Sequence, residues 1–114
     1  MKKLFAFLAL ALALSMNAFA GNVEAGKAAA QKYNCASCHG ADYNSPIDPS
    51  YPKLAGQHAD YIEHALVAYQ RGGSGANGRG NAIMGGMAKP LSKKEISDIA
   101  AYLASLPGSL VVRK

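Results

Sequence analysis

Strand-like alternation is absent from nearly all of this 114-residue sequence. Only the tail Leu110-Val111-Val112 has any, so a sheet-built architecture is excluded and a small all-α domain is expected. Cysteine is scarce: Cys35 and Cys38 are the only two, too few for a framework of several disulfides. No apolar run approaches the roughly 20 residues that a membrane helix needs. Neither charge dominates, since 12 Lys and Arg stand against 7 Asp and Glu for a net +5. That mild excess suits an acidic protein partner and gives little support to nucleic-acid binding.

The chain starts Met1-Lys2-Lys3, continues through the short apolar run Leu4 to Leu14, and reaches Ala18-Phe19-Ala20. A basic start, a short apolar centre and a small-x-small exit describe a secretory signal cut after Ala20. Residues 21–114 are then left as one small domain, with no stable membrane insertion. A core of that size is only marginally sufficient by itself, and it calls for a disulfide, a metal or a bound body to complete its interior.

Three helices are legible in that domain. Asn22 is placed to cap one through Val23 to Tyr33, with Glu24 in the first turn where the helix dipole favours an anion. A second runs from near His58 or Ala59 to Arg71, and Tyr61, Ile62, Ala65, Leu66 and Tyr69 make its apolar face. Asp60 and His64, four apart, form a weak pair on its solvated side. The third starts with the capping box Ser92-Lys93-Lys94-Glu95, with Leu91 as hydrophobic staple; Ile96, Ile99, Leu103 and Leu106 recur along it until Pro107-Gly108 stops it. Between the helices lie two long segments read as irregular loops. Ala41–Gly56 carries Pro46, Pro49 and Pro52, with Tyr43, Ile47 and Tyr51 as a candidate exposed group. The second, Gly72 to Pro90, is dominated by glycine and short polar residues. Loops this long count against a plain bundle unless they wrap something.

The stretch Asn34-Cys35-Ala36-Ser37-Cys38-His39-Gly40 says what they wrap. A redox dithiol places Cys-x-x-Cys at a helix start after a strand, and no sheet is available here. A structural zinc ion takes four ligands, and adjacent Cys38 and His39 are awkward partners on one tetrahedral ion. Cys-x-x-Cys-His is also the signature of covalent haem: two thiols bond the vinyl groups and the histidine reaches iron from one face. Export, a marginal core, two long loops and a distant methionine segment all agree with it. On the opposite face Met84, Met87, His58 and His64 remain candidates. A thioether there favours ferrous iron relative to a second imidazole.

The chain resembles the bacterial class I c-type cytochromes, above all one single-haem domain of the dihaem periplasmic cytochromes c. The resemblance spans roughly Asn22 to Leu106 and is carried by the helix with Gly26, by NCASCHG, by NSPIDPSYPKLAGQHADY, by IMGGMAKPLS and by EISDIAAYLASL. It implies a cytochrome c-like fold, three main helices and two long loops around one haem c bound through Cys35 and Cys38. It further implies contact between the first and last helices at Gly26 and Tyr102, with Ile99 beside them. The Pro52 carbonyl would accept the proton on the non-ligating nitrogen of His39, and Leu54 would pack on the haem. Met84, seven residues before Leu91, matches the family's distal ligand, with Met87 as its competitor, so the iron would be held by His39 and Met84. One Cys-x-x-Cys-His and one domain exclude transfer between two haems within the chain.

The resemblance therefore implies a periplasmic, monomeric electron carrier that docks transiently with respiratory redox proteins, rather than an enzyme. Lys53, Lys89, Lys93 and Lys94 would steer an acidic partner. Rival readings are a subunit docked on a larger periplasmic oxidoreductase, a haem enzyme with an open sixth position, and a protein using haem only as filler.

Overall fold

A computed structural model describes residues 21–110. The proposed leader lies outside them, as does most of the apolar tail. Five helices occur in that span: α1 (Val23–Lys32), α2 (Ala36–His39), α3 (Ala59–Arg71), α4 (Ala82–Ala88) and α5 (Lys93–Ser105). Among the described residues there is no strand, and no helix is long and apolar enough to cross a membrane.

The three expected helices are present with nearly the expected limits, and local chemistry explains where they begin. The Asn22 side chain accepts the Ala25 amide at 2.9 Å. At α5 the capping box is complete: Glu95 N–H donates to Ser92 Oγ at 3.0 Å and Ser92 N–H to Glu95 Oε1 at 3.1 Å. Leu91 and Ile96, the two ends of the staple, both lie in the buried cluster.

Helices α1 and α5 pack together at Gly26. A Cβ built there would collide with the carbonyl oxygen of Asp98 and lie 2.8 Å from Tyr102 Cβ. Only a residue without a side chain allows this approach. Polar groups fasten the same seam. Asp98, 5% exposed, accepts the Asn22 amide at 2.8 Å and pairs with Lys94. Tyr33 Oη donates to Glu95 at 3.1 Å, and Lys32 approaches the same carboxylate at 3.6 Å. Ile99, Ala100 and Leu103 of α5 then meet Ala29, Ala30 and Ile62 in one core.

The count of three helices needs correction. Helix α4 forms where an irregular glycine loop was expected, because Asn81 caps it by accepting the Met84 amide at 2.9 Å, which offsets part of the roughly 1 kcal/mol that each glycine costs. Gln70 of α3 holds its far end, donating to the carbonyls of Ala88 at 2.9 Å and Leu91 at 2.8 Å. The turn before it, residues 72–80, is irregular as expected.

The proline loop also corrects one reading. Ile47 is exposed at 71%, but Tyr43 is buried at 3% and meets Tyr102 edge-on, with ring centroids 5.9 Å apart. Its backbone is left-handed, φ 56°, a conformation unfavourable for a bulky residue. That turn aims the Tyr43 carbonyl at the amides of Leu54 and Ala55, at 2.8 and 3.0 Å, and so folds the loop back toward α2. Asp60 and His64 are both exposed, but Asp60 accepts the Tyr61 amide and no ion pair joins it to His64.

Candidate haem site

Helix α2 exists to turn the motif. Cys35 is its N-cap and His39 its last residue, one helical turn apart, so both cysteines and the histidine face one side. Gly40 ends it at φ 91°, where a Cβ would strike the carbonyl of Ser45. Both cysteines are free and half-buried. Burial pushes the Cys35 thiol up from its usual range. A reactive redox dithiol needs the opposite shift, so the geometry disfavours that chemistry.

His39 is 7% exposed, and its Nδ1 donates to the Pro52 carbonyl at 2.9 Å. That bond fixes the tautomer and leaves Nε2 as the free donor nitrogen. The Tyr51 ring lies 6.4 Å from the imidazole. Among the described residues, no three His, Cys, Asp or Glu side chains gather as a metal site, so the zinc alternative lacks its ligand set.

Cys35, Cys38, His39, Pro52, Leu54 and Met84 all line one cleft of about 320 Å³. The structure thus brings together every residue expected at the site. The whole expected apolar face of α3, Tyr61, Ile62, Ala65, Leu66 and Tyr69, lines it too, with Ile99 and Leu103 from α5. Met84 and Met87 both reach it from α4; Met84 is half-buried, Met87 38% exposed. His58 and His64 do not line it. A larger groove of about 580 Å³ on the far side of Tyr61 contains no cysteine or methionine, so size does not mark the chemistry here.

The donor set fits a haem: two thiols, one imidazole with its second nitrogen engaged, a thioether on another helix, and an apolar lining between. Sequence reasoning missed three residues. Asn81 was signalled by its place before Ala82-Ile83-Met84, as an N-cap. Arg79, the one cation of the glycine turn, lines the cleft and donates to Tyr61 Oη at 3.2 Å. Gln70 gave no local signal.

An all-α domain with Cys-x-x-Cys-His facing methionine across an apolar cleft defines a c-type haem protein. Residues 23–107 match the family model of cytochrome c, and the chain belongs to that family. Cytochrome c4 of Stutzerimonas stutzeri is 41% identical over 96% of this chain and 53% of its own length. Cytochrome c-554(548) of Halomonas halodenitrificans is 44% identical over 62% of this chain and 82% of its own. The crystal structure of reduced recombinant cytochrome c4 from Pseudomonas stutzeri superposes with a TM-score of 0.68 at 40% identity, covering 80% of this chain and 48% of that one. The chain thus spans about half the length of the cytochromes c4 it matches, as the resemblance to a single domain implies.

Proposed function

We propose that residues 21–114 act in the periplasm, after removal of residues 1–20, as a monomeric single-haem electron carrier with haem c attached through Cys35 and Cys38. The observation that carries this reading is the meeting of Cys35, Cys38, His39 and Met84 in one apolar cleft, with His39 Nδ1 held by the Pro52 carbonyl.

Haem c, when bound, supplies a one-electron couple. The chain supplies the rest. Two thiols on the short helix α2 place the attachment on one wall, and the Pro52 bond aims Nε2 of His39 at the cleft. Met84 offers a soft sulfur from the opposite helix, a choice that favours the reduced metal. With His39 and Met84 both committed to the iron, no position would be left open to substrate, which supports a carrier rather than a catalyst. Leu54, Ile62, Leu66, Ile99 and Leu103 exclude water, and an apolar surround disfavours the more highly charged oxidised centre. Tyr61, Ile83 and Met87 are exposed at the cleft, a small apolar rim suited to the weak, short-lived docking of redox partners.

The test is a reduced-minus-oxidised spectrum of the exported, matured protein, followed by acid-acetone extraction and gel filtration. Reversible one-electron reduction with pigment that stays on the polypeptide is expected. Extractable pigment would end the covalent reading, and elution only within a large complex would favour a docked subunit.

A further inference from the structure

The carbonyl that engages His39 sits on a loop, and a loop carbonyl is held only as firmly as the chain on either side of it. Within the loop the two limbs meet where the Leu54 and Ala55 amides converge on the Tyr43 carbonyl. Further anchors come from the segment that follows α5. Leu106 ends that helix in extended backbone, φ -78° and ψ 143°, and residues 106–109 then run beside the loop.

Several contacts fasten them there. Gly56 N–H donates to the Leu103 carbonyl at 3.0 Å. Gly108 lies so close to Ala55 that a Cβ on it would collide with the Ala55 carbonyl oxygen, and Ala55 itself is fully buried. Asn44 Oδ1 accepts the amide of Ser109 at 3.2 Å and its hydroxyl at 3.0 Å, across 65 positions of sequence. Lys53 Nζ reaches the same hydroxyl at 3.4 Å.

These contacts bracket Pro52. Asn44 follows Tyr43 on the incoming limb, Lys53 is the next residue after the proline, and Ala55 and Gly56 lie on the outgoing limb. Because α5 is seated on α1 at Gly26, the segment ties the loop to the packed seam of the domain. A limb fixed on both sides has fewer conformations in which its carbonyl strays from the His39 Nδ1 proton.

We propose that residues 106–109 are a strap that sets the position of the Pro52 carbonyl, with Asn44 as its positioning residue, and so tunes the donor strength of His39 and the potential of the bound haem. The inference rests on the carrier reading. Neither Asn44 nor Ser109 lines the haem cleft, so their influence on iron passes through the loop. Loosening the strap leaves Nδ1–H less engaged and Nε2 a weaker donor, which disfavours the oxidised state and raises the potential.

The experiment measures the haem-loaded protein by potentiometric titration and follows exchange of the His39 Nδ1 proton by NMR in the reduced form. Asn44→Ala removes the acceptor that Ser109 uses twice; Asn44→Asp keeps an oxygen there. Asn22→Ala removes the cap of α1 instead, a loss of stability outside the loop. Asn44→Ala is expected to raise the potential and to speed the exchange about tenfold, equivalent to about 1.4 kcal/mol. Asn44→Asp should keep the original exchange rate, and Asn22→Ala should unfold more easily with potential and exchange unchanged. Ser109→Ala loses only the hydroxyl, so a smaller shift in the same direction is expected, and it carries the test if Asn44→Ala fails to mature. An unchanged potential and exchange rate in the strap variants, faster exchange in Asn44→Asp, or the same shifts in Asn22→Ala would each overturn the proposal. Spectra of the same samples separate the two readings: covalent, reducible haem with an unmoved potential defeats only the strap, whereas the absence of such haem from the unaltered protein defeats the carrier.

Discussion

The imidazole of His39 and the backbone of Pro52, thirteen residues later, are joined by one hydrogen bond of 2.9 Å from Nδ1 to the carbonyl oxygen. The bond links the helix that carries the cysteines to the proline loop, and it makes His39 a better donor through Nε2. Proline keeps that carbonyl in place by fixing its own φ. Pro52→Gly keeps the acceptor but frees the chain around it. The expected result is a raised midpoint potential, because a less firmly held Nδ1–H makes Nε2 a weaker donor, measured by potentiometric titration with the pigment still covalently bound.

Met84 and Met87 line the same cleft, but Met84 is half-buried and Met87 is 38% exposed. The more enclosed sulfur is the better candidate ligand. Met84→Ala is expected to abolish the long-wavelength sulfur-to-iron absorption of the oxidised protein and to lower the potential. Met87→Ala should retain that absorption and lose only packing. The reverse pattern would transfer the ligand to Met87.

Much of this was readable before the fold was known, for physical reasons that differ from residue to residue. Cys35, Cys38 and His39 are adjacent in sequence, so their chemistry is local. Gly26 facing Tyr102 and Pro52 facing His39 came through resemblance to a family, since spacing alone does not pair residues so far apart. Helix α4 was hidden because Gly85 and Gly86 lower its intrinsic propensity, while the groups that hold it, Asn81 before it and Gln70 from another helix, act across a turn and across space. Tyr43 looked exposed for a similar reason. Its neighbours in sequence are polar, but its ring meets Tyr102, fifty-nine positions away.

Gln70 is the clasp between α3 and the segment that bears Met84. Replacing it by Ala leaves the carbonyls of Ala88 and Leu91 without that donor; an unsatisfied, partly buried carbonyl costs about 1–3 kcal/mol. Gln70→Ala should therefore lower the unfolding free energy by an amount in that range, read from denaturant unfolding curves. The sulfur-to-iron absorption should also weaken on heating earlier than in the unaltered protein, because α4 would loosen before the α1–α5 seam.

At Gly26 a side chain has no room. The colliding group is the backbone carbonyl of Asp98, which cannot rotate away as a side-chain tip would, and Tyr102 Cβ closes the other side. Gly26→Ala must push α1 off α5, so an unfolding free energy lower by about 2–3 kcal/mol is expected. Chemical denaturation of the haem-loaded protein measures it. A stabilised variant, the usual result of replacing glycine in an open helix, would contradict the close approach.

Acid should open the same seam through Asp98. The Asn22 amide and then the Lys94 ammonium hold its carboxyl below the usual range. A depressed folded value means that the unfolded chain binds the proton more readily, so the contribution is present above the unfolded value of about 4 and is lost as pH falls through the folded one. Stability should thus decline steeply on the acid side below about pH 4. Glu95 adds to that slope, its carboxyl held low by the Ser92 amide, Tyr33 and Lys32. Asp98→Asn retains an oxygen for the Asn22 amide while removing the titrating charge, so it should flatten the acid limb and lower stability at neutral pH. Unfolding curves taken from pH 2 to 7 on both proteins distinguish this from a purely steric effect, which would shift the whole curve downward without changing its slope.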